Sequence, residues 1–231
     1  MHTAESTCYG ERGATAEDIV DAATATGLDA IAITDHNTTA ALDKVRSAAR
    51  RRDLFVFPGV EISTSAGHVL GIFDLDTAAS VIDGVLERLG IAPDGRGDGT
   101  RTANGGMDRA FQTIVEAGGI AVAAHVDRWP SGLFHASASL RDRLRLLNSE
   151  YLSALEITVP SNRHLWNAGQ IPDFSRKLAC VQGSDAHAPH EIGRRRVHIA
   201  MITVSLASLR EAFANCSTAI VFPDQQRLDC S

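Results

Sequence analysis

Short runs of apolar, largely β-branched residues alternate along the chain with longer stretches in which apolar residues recur every three or four positions. The short runs predict strands at 29–34, 54–57, 68–73, 120–124, 154–158, 178–182 and 219–222. The longer stretches predict helices. Thr15 with Asp18 has the spacing of a capping box, Ile19, Ala22 and Ala23 form a stripe, and Gly27 supplies a stop. A second helix spans 39–51, with Leu42, Val45 and Ala49 inward and Arg50, Arg51 and Arg52 at its C-terminal end, where cations suit the helix dipole. Further helices are predicted at 78–89, 107–116, 138–148 and 206–214. Strands and helices taking turns favour parallel strands joined by helices, either as an open sheet or as a barrel.

One stretch breaks the pattern. Residues 91–106, IAPDGRGDGTRTANGG, are glycine-rich, lack apolar periodicity after Ala92, and read as a mobile surface loop rather than a substrate lid. With 231 residues, 44% of them hydrophobic, the chain has material for one large core, and an α/β barrel commonly fills ~200–250 residues as a single domain. We therefore expect a single domain over 1–231, with 224–231 as a tail. A net charge of −6 argues against a generally nucleic-acid-coating surface, while leaving room for a local basic patch. Cys8, Cys180, Cys216 and Cys230 are scattered without paired spacing. With neither a signal peptide nor an apolar run near the ~20 residues of a membrane span, the expectation is a reduced cytoplasmic protein.

The strand ends carry the chemistry. LDAIAITDHN (28–37) ends in Asp35 and His36, LFVFPGVEIS (54–63) delivers Glu61, and His68 opens HVLGIF. GIAVAAHVDR (119–128) presents His125, ALEIT (154–158) presents Glu156, and LACVQGSDAH (178–187) ends on Asp185 and His187. Any one Asp-His pair is commonly a cap beside a half-buried histidine. Its recurrence at successive strand ends is what a metal site needs, because a closed or nearly closed barrel brings those ends to one face. Imidazole nitrogen and carboxylate oxygen suit zinc, manganese or iron, whereas calcium takes oxygen almost alone.

TDHN, then PGVEIST with GHVLGIF, then AAHVDR, then GSDAH, in that order, resemble the PHP (polymerase and histidinol phosphatase) family of metal-dependent phosphoesterases, over roughly residues 1–204. The resemblance implies a distorted seven-stranded β/α barrel, TIM-like, with two or three divalent ions (zinc, manganese or iron) at the strand C-termini. It further implies that Glu61, Asp185 and His2 serve one ion, His36 and His187 a second, and Glu61, His68 and His125 a third, with Glu61 bridging. The implied reaction is hydrolysis of a phosphate mono- or diester, on a small phosphorylated metabolite, a nucleotide or an oligonucleotide end. The stretch 183–213, GSDAHAPHEIGRRRVHIAMITVSLASLREAF, also resembles PHP domains joined to ATPase modules, which implies a possible ATPase partner.

The chain departs from the family pattern at its start. The family opens on His-any-His; His2 fits the second histidine and the first has no counterpart, so either the start is clipped or one ion is under-coordinated. Cys8 falls where some members place a further ligand, and reads either as a thiolate ligand or as a small buried residue. Arg128, Arg163 and Arg194 follow ligand-bearing strand ends and are candidates for holding substrate phosphate, with Arg128 foremost. Asp35, Glu156 and Arg128 are the candidate catalytic groups, Glu156 through orienting a ligand. Trp129 and Trp166 could stack on a base or fill core and rim positions. The rival reading is a degenerate barrel that serves as a regulatory or binding domain.

Overall fold

The computed structural model describes residues 1–135 and 139–223; the proposed tail at 224–231 lies outside the described residues. In chain order the elements are α1 (Ala16–Ala25), β1 (Ala30–Ile33), α2 (Leu42–Ala49), β2 (Phe55–Thr64), β3 (Gly67–Ile72), α3 (Ala79–Arg88), α4 (Gly106–Glu116), β4 (Ile120–Ala123), α5 (Leu140–Leu147), β5 (Leu152–Glu156), α6 (Arg163–Ala168), β6 (Ala179–Val181), β7 (His198–Ile199), α7 (Leu206–Ala214), α8 (Cys216–Ala219) and β8 (Ile220–Val221). The capping box at Thr15 and Asp18 forms as its spacing predicts.

Strands β1 to β6 make a six-stranded sheet in sequence order, and β7 and β8 form a separate pair. Three of the five pairings in the large sheet are parallel, and β3 runs antiparallel to both its neighbours. This is a mixed, mainly parallel α/β fold of the TIM-like kind. It departs from an all-parallel reading because the two-residue turn at Ser65 and Ala66 is too short for a parallel crossover, which takes a dozen residues or more.

Strand β2 is the hinge of the sheet. A proline normally ends a run that reads as a strand, and the sequence predicts a stop at 57. Instead β2 continues through Pro58, because it changes partners there. Residues 55–58 pair in parallel with β1, and residues 59–64 pair antiparallel with β3. Gly59 makes the crossing possible: a Cβ there would come within 2.7 Å of the Gly71 carbonyl oxygen. Glu61 thus sits within the strand, three residues past the switch.

Along β1, Ile31 and Ile33 are buried while Ala30 and Ala32 are half-buried and help to line an apolar cavity of about 380 Å3 with Leu70, Ile72 and Val122. Strands β1 and β6 are not paired to each other. Met1 and His2 bridge them at one end, Met1 O accepting from Thr34 N–H (2.9 Å) and His2 N–H donating to Ala186 O (3.1 Å). That pairing puts His2 at the strand ends. Helices α3 and α4 cover the sheet with Ile82, Leu86, Phe111 and Ile114, all fully buried. No helix among the described residues is long and apolar enough to cross a membrane.

Candidate metal centre

Seven side chains converge at the strand ends: His2, His36, Glu61, His68, His125, Asp185 and His187. Glu61 is at the centre, 2% exposed. Its Oε1 lies 2.6 Å from His68 Nδ1 and 3.2 Å from His125 Nε2, and its Oε2 lies 3.2 Å from His2 Nε2. His2 Nε2 is also 3.1 Å from Asp185 Oδ1. The imidazoles stack or cross in one continuous run, His187 on His2, His2 on His36, His36 on His68, and His68 on His125, at 4.5–5.1 Å between centroids. Within each of three overlapping sets (His2, His36 and His187; His36, Glu61 and His68; His2, Glu61 and Asp185) one donor atom per residue lies within 4.8 Å of the others.

Hydrogen bonds behind the donors aim them. Asp35 Oδ1 accepts from Thr3 N–H (2.7 Å) and the Ser6 hydroxyl (2.6 Å), and Oδ2 accepts from the Thr3 hydroxyl (2.8 Å). With its proton on Asp35, Ser6 Oγ is left to accept from His36 N–H (3.0 Å) and from His2 Nδ1 (3.2 Å). A proton is thereby placed on His2 Nδ1, and Nε2 faces the carboxylates. His187 is fixed in the same sense, its Nδ1 donating to Asp185 O at 2.9 Å. Metal-bound histidines are typically oriented through their second nitrogen in this way. Nothing in the periodicity of MHTAEST marks Thr3 and Ser6 for this role; the Asp35 carboxylate finds them only once the chain is folded.

Glu156 works on the backbone. Its Oε2 accepts from His125 N–H at 2.9 Å, and its Oε1 would lie 2.3 Å from a Cβ on Gly183. It thus steadies His125, which has φ 30°, while Asp185 has φ 46°; both are in the left-handed region that residues with a Cβ seldom occupy. Burial pushes the Glu156 carboxyl upward. The glycine-rich loop closes one side: Asn37 Nδ2 donates to Asp98 O and Arg101 O, Ser63 Oγ to Gly99 O, and a Cβ on Gly99 would press on the His36 ring at 2.9 Å. No feature of its composition foretells that contact.

A histidine-rich pocket without cations is electrostatically awkward. Burial lowers His36 to about 4, keeping it a neutral donor of an electron pair. Burial also opposes protonation of His2, but hydrogen bonds to Asp185 and Glu61 outweigh it and raise His2 to about 9. Glu61 is held well below the carboxylate range, its burial outweighed by the hydrogen bonds from His125, His2 and His68. The Nδ1 atoms of His36 and His125 are buried with no hydrogen-bond partner, which native interiors rarely tolerate. Divalent zinc, manganese or iron fits this donor set.

In ion-free protein a proton on His2 takes the place of that charge. His2 is raised above its ordinary 6.5, so its stabilisation is full below pH 6.5 and is lost as pH rises through about 9. The loss is on the order of 3 kcal/mol, or roughly 5–10 °C in melting temperature. Chelator-treated protein should therefore melt progressively lower across that window, and His2→Gln should remove the slope. A flat profile in the chelated wild type would show that the His2 proton does not carry this stabilisation.

The remaining sequence candidates fall in three places. Arg128 Nη1 pairs with Asp185 Oδ2 at 2.6 Å and, with Asp185, His187, Arg194 and Arg195, lines an open pocket of about 500 Å3. Arg194 is largely occupied, donating to Ser184 O, Asp185 O and Glu191 Oε1. Arg163 donates to Pro160 O and sits over the Phe222 ring at 4.8 Å, and it does not line that pocket. Cys8 is exposed and joins none of the donor sets; partial burial of its thiol nonetheless pushes it up to about 11. Asp35 has its carboxylate oxygens committed to Thr3 and Ser6, which leaves it a positioning rather than a reacting group.

The family model for the PHP domain matches residues 1–150, and that for the PHP-associated region matches residues 175–218. The chain belongs to the PHP family. PHP domains are metal-dependent, as the donor set here would lead one to expect. Among solved structures the PHP fold recurs in a lesion-specific endonuclease from Pyrococcus furiosus (16% identity, TM-score 0.70, 96% of this chain and 56% of that one). It recurs in a two-domain protein from Bacteroides vulgatus containing a predicted PHP-like metal-dependent phosphoesterase (20%, TM-score 0.67, 96% and 63%). It is found too in endonuclease Q bound to a 27-mer duplex with an abasic lesion at the active site (17%, TM-score 0.66, 93% and 55%). At these identities the likeness is one of fold. The chain thus spans between half and two thirds of the length of these three proteins. No curated protein matches it.

Proposed function

We propose that this PHP chain hydrolyses a phosphate mono- or diester, with His2, His36, Glu61, His68, His125, Asp185 and His187 holding two or three divalent ions. The observation that carries the reading is the junction of two features. Asp185 and His187 belong to the donor sets and also line the pocket with Arg128, Arg194 and Arg195. Divalent ions, when bound, supply a Lewis acid for the phosphoryl group and bring the ionisation of water towards neutral pH.

The protein's own residues do the rest. Arg128 gives one N–H to Asp185 and keeps the remainder of its planar fork for phosphate oxygens. Arg194 and Arg195, anchored on the backbone oxygens of 183–185, add fixed positive charge to the same wall. Asp35, Ser6 and Glu156 hold the imidazoles in place so that little reorganisation is needed when charge develops. The structural likeness to endonucleases supports a nucleotide or nucleic-acid end among the candidate substrates.

The test is elemental analysis of purified protein beside turnover of p-nitrophenyl phosphate and its bis ester with added Mn²⁺ or Zn²⁺. Two or three ions per chain with metal-dependent release of p-nitrophenol is the expected outcome. Protein that takes up no metal and turns over neither ester would instead be a barrel that binds without catalysis.

A further inference from the structure

Trp129 is 77% exposed, in contrast to Trp166, which is buried between Phe134 and Phe174. It stands one Cα step, ~3.8 Å, beyond Arg128, whose side chain lines the arginine pocket. The turn that presents it is tightly built. Arg128 N–H donates to His125 O (2.9 Å), Gly132 N–H donates to Arg128 O (2.6 Å), and a Cβ on Gly132 would meet Val126 O at 2.5 Å. Asp127 ties this turn to the loop after β5: its Oδ1 accepts from Thr158 N–H and hydroxyl, and its Oδ2 from Val159 N–H, at 2.7–2.8 Å. Val159 is itself 60% exposed. An exposed indole and an exposed valine thus stand on two loops that are bonded to each other, the indole one residue from an arginine that lines the charged pocket.

A flat aromatic on a fixed turn is a stacking surface, and base–aromatic stacking is tolerant of base identity because every base has a π-face. We infer that Trp129 is a platform for a nucleobase, so that the pocket takes a nucleoside phosphate in preference to a phosphate on a bare sugar. This rests on the phosphoesterase reading and narrows its substrate class. The phosphate meets Arg128 and the base meets the next residue, so both determinants are carried by one turn.

The two tryptophans allow a direct readout, since Trp129 is exposed and Trp166 is buried. Metal-loaded protein should show fluorescence quenching on titration with 5′-AMP and little with ribose 5-phosphate, and should prefer AMP by about tenfold in kcat/KM. Trp129→Ala should reduce that preference about tenfold with metal content retained, while Trp129→Phe should restore most of it and abolish the quenching. Equal kcat/KM for the two phosphates in the wild type, or an undiminished AMP preference in Trp129→Ala, overturns the platform and leaves the phosphoesterase standing. Quenching by AMP that Trp129→Phe abolishes, in protein that hydrolyses neither these phosphates nor the p-nitrophenyl esters, supports the platform and removes the phosphoesterase.

Discussion

Glu61→Gln should cost the protein its metal and about a thousandfold or more in kcat/KM, the ~4 kcal/mol expected when ionic stabilisation of the phosphoryl group is lost. The size of the effect follows from the position of the carboxylate. Three imidazole nitrogens approach it at 2.6–3.2 Å, and it is buried. Glutamine preserves the volume but brings an NH₂ group and no charge, so one oxygen position now repels a cation and one histidine must move or turn its ring. The remaining carbonyl oxygen still accepts a hydrogen bond, but without the negative charge that holds His2, His68 and His125 together. Metal content by mass spectrometry and turnover of p-nitrophenyl phosphate should fall together. Full metal content with full turnover in Glu61→Gln would sink the assignment of Glu61 as the shared ligand.

Arg128→Ala should act differently, keeping metal while weakening kcat/KM by roughly 10–100-fold, the range of a charge-assisted hydrogen bond. Arg128→Lys should recover only part of this, since an ammonium cannot offer a planar fork and still hold Asp185. Arg128 faces both ways, however, with Nη1 on Asp185 Oδ2 at 2.6 Å. Metal analysis is therefore part of the measurement: a variant that loses metal as well as turnover would show that Arg128 chiefly sets Asp185, not substrate.

The strand-end pattern marked six of the seven side chains that converge, because an apolar run that stops on Asp-His or Ser-Asp-Ala-His places those side chains at a sheet edge whatever the details of pairing; His2 came only through the family resemblance. What it could not show lies in pairing and in backbone atoms. The change of partner at Pro58 depends on Gly59 passing close to Gly71, a contact 12 residues away in sequence with no local signature. The antiparallel β3 hides in an apolar run that would look the same in either direction. Asp35 stood among the candidate catalytic groups, whereas its carboxylate is turned to Thr3 and Ser6. Arg128 and Arg163 were both phosphate candidates, Arg128 foremost, and the loops carry Arg128 to the pocket and Arg163 onto Phe222.

The meeting of His2 with Asp185, 183 residues apart, has a consequence for assembly. One stretch of chain, matched over 1–150, brings five of the donors, and another, matched over 175–218, brings Asp185, His187 and the two anchored arginines. Neither stretch holds the full donor set. Any ion bound by both acts as a clasp between the chain's early and late parts, and its binding energy is added to folding. Contacts of such sequence separation form late and slowly. Metal supply during synthesis then bears on how much protein reaches its native state, as well as on how fast that protein works.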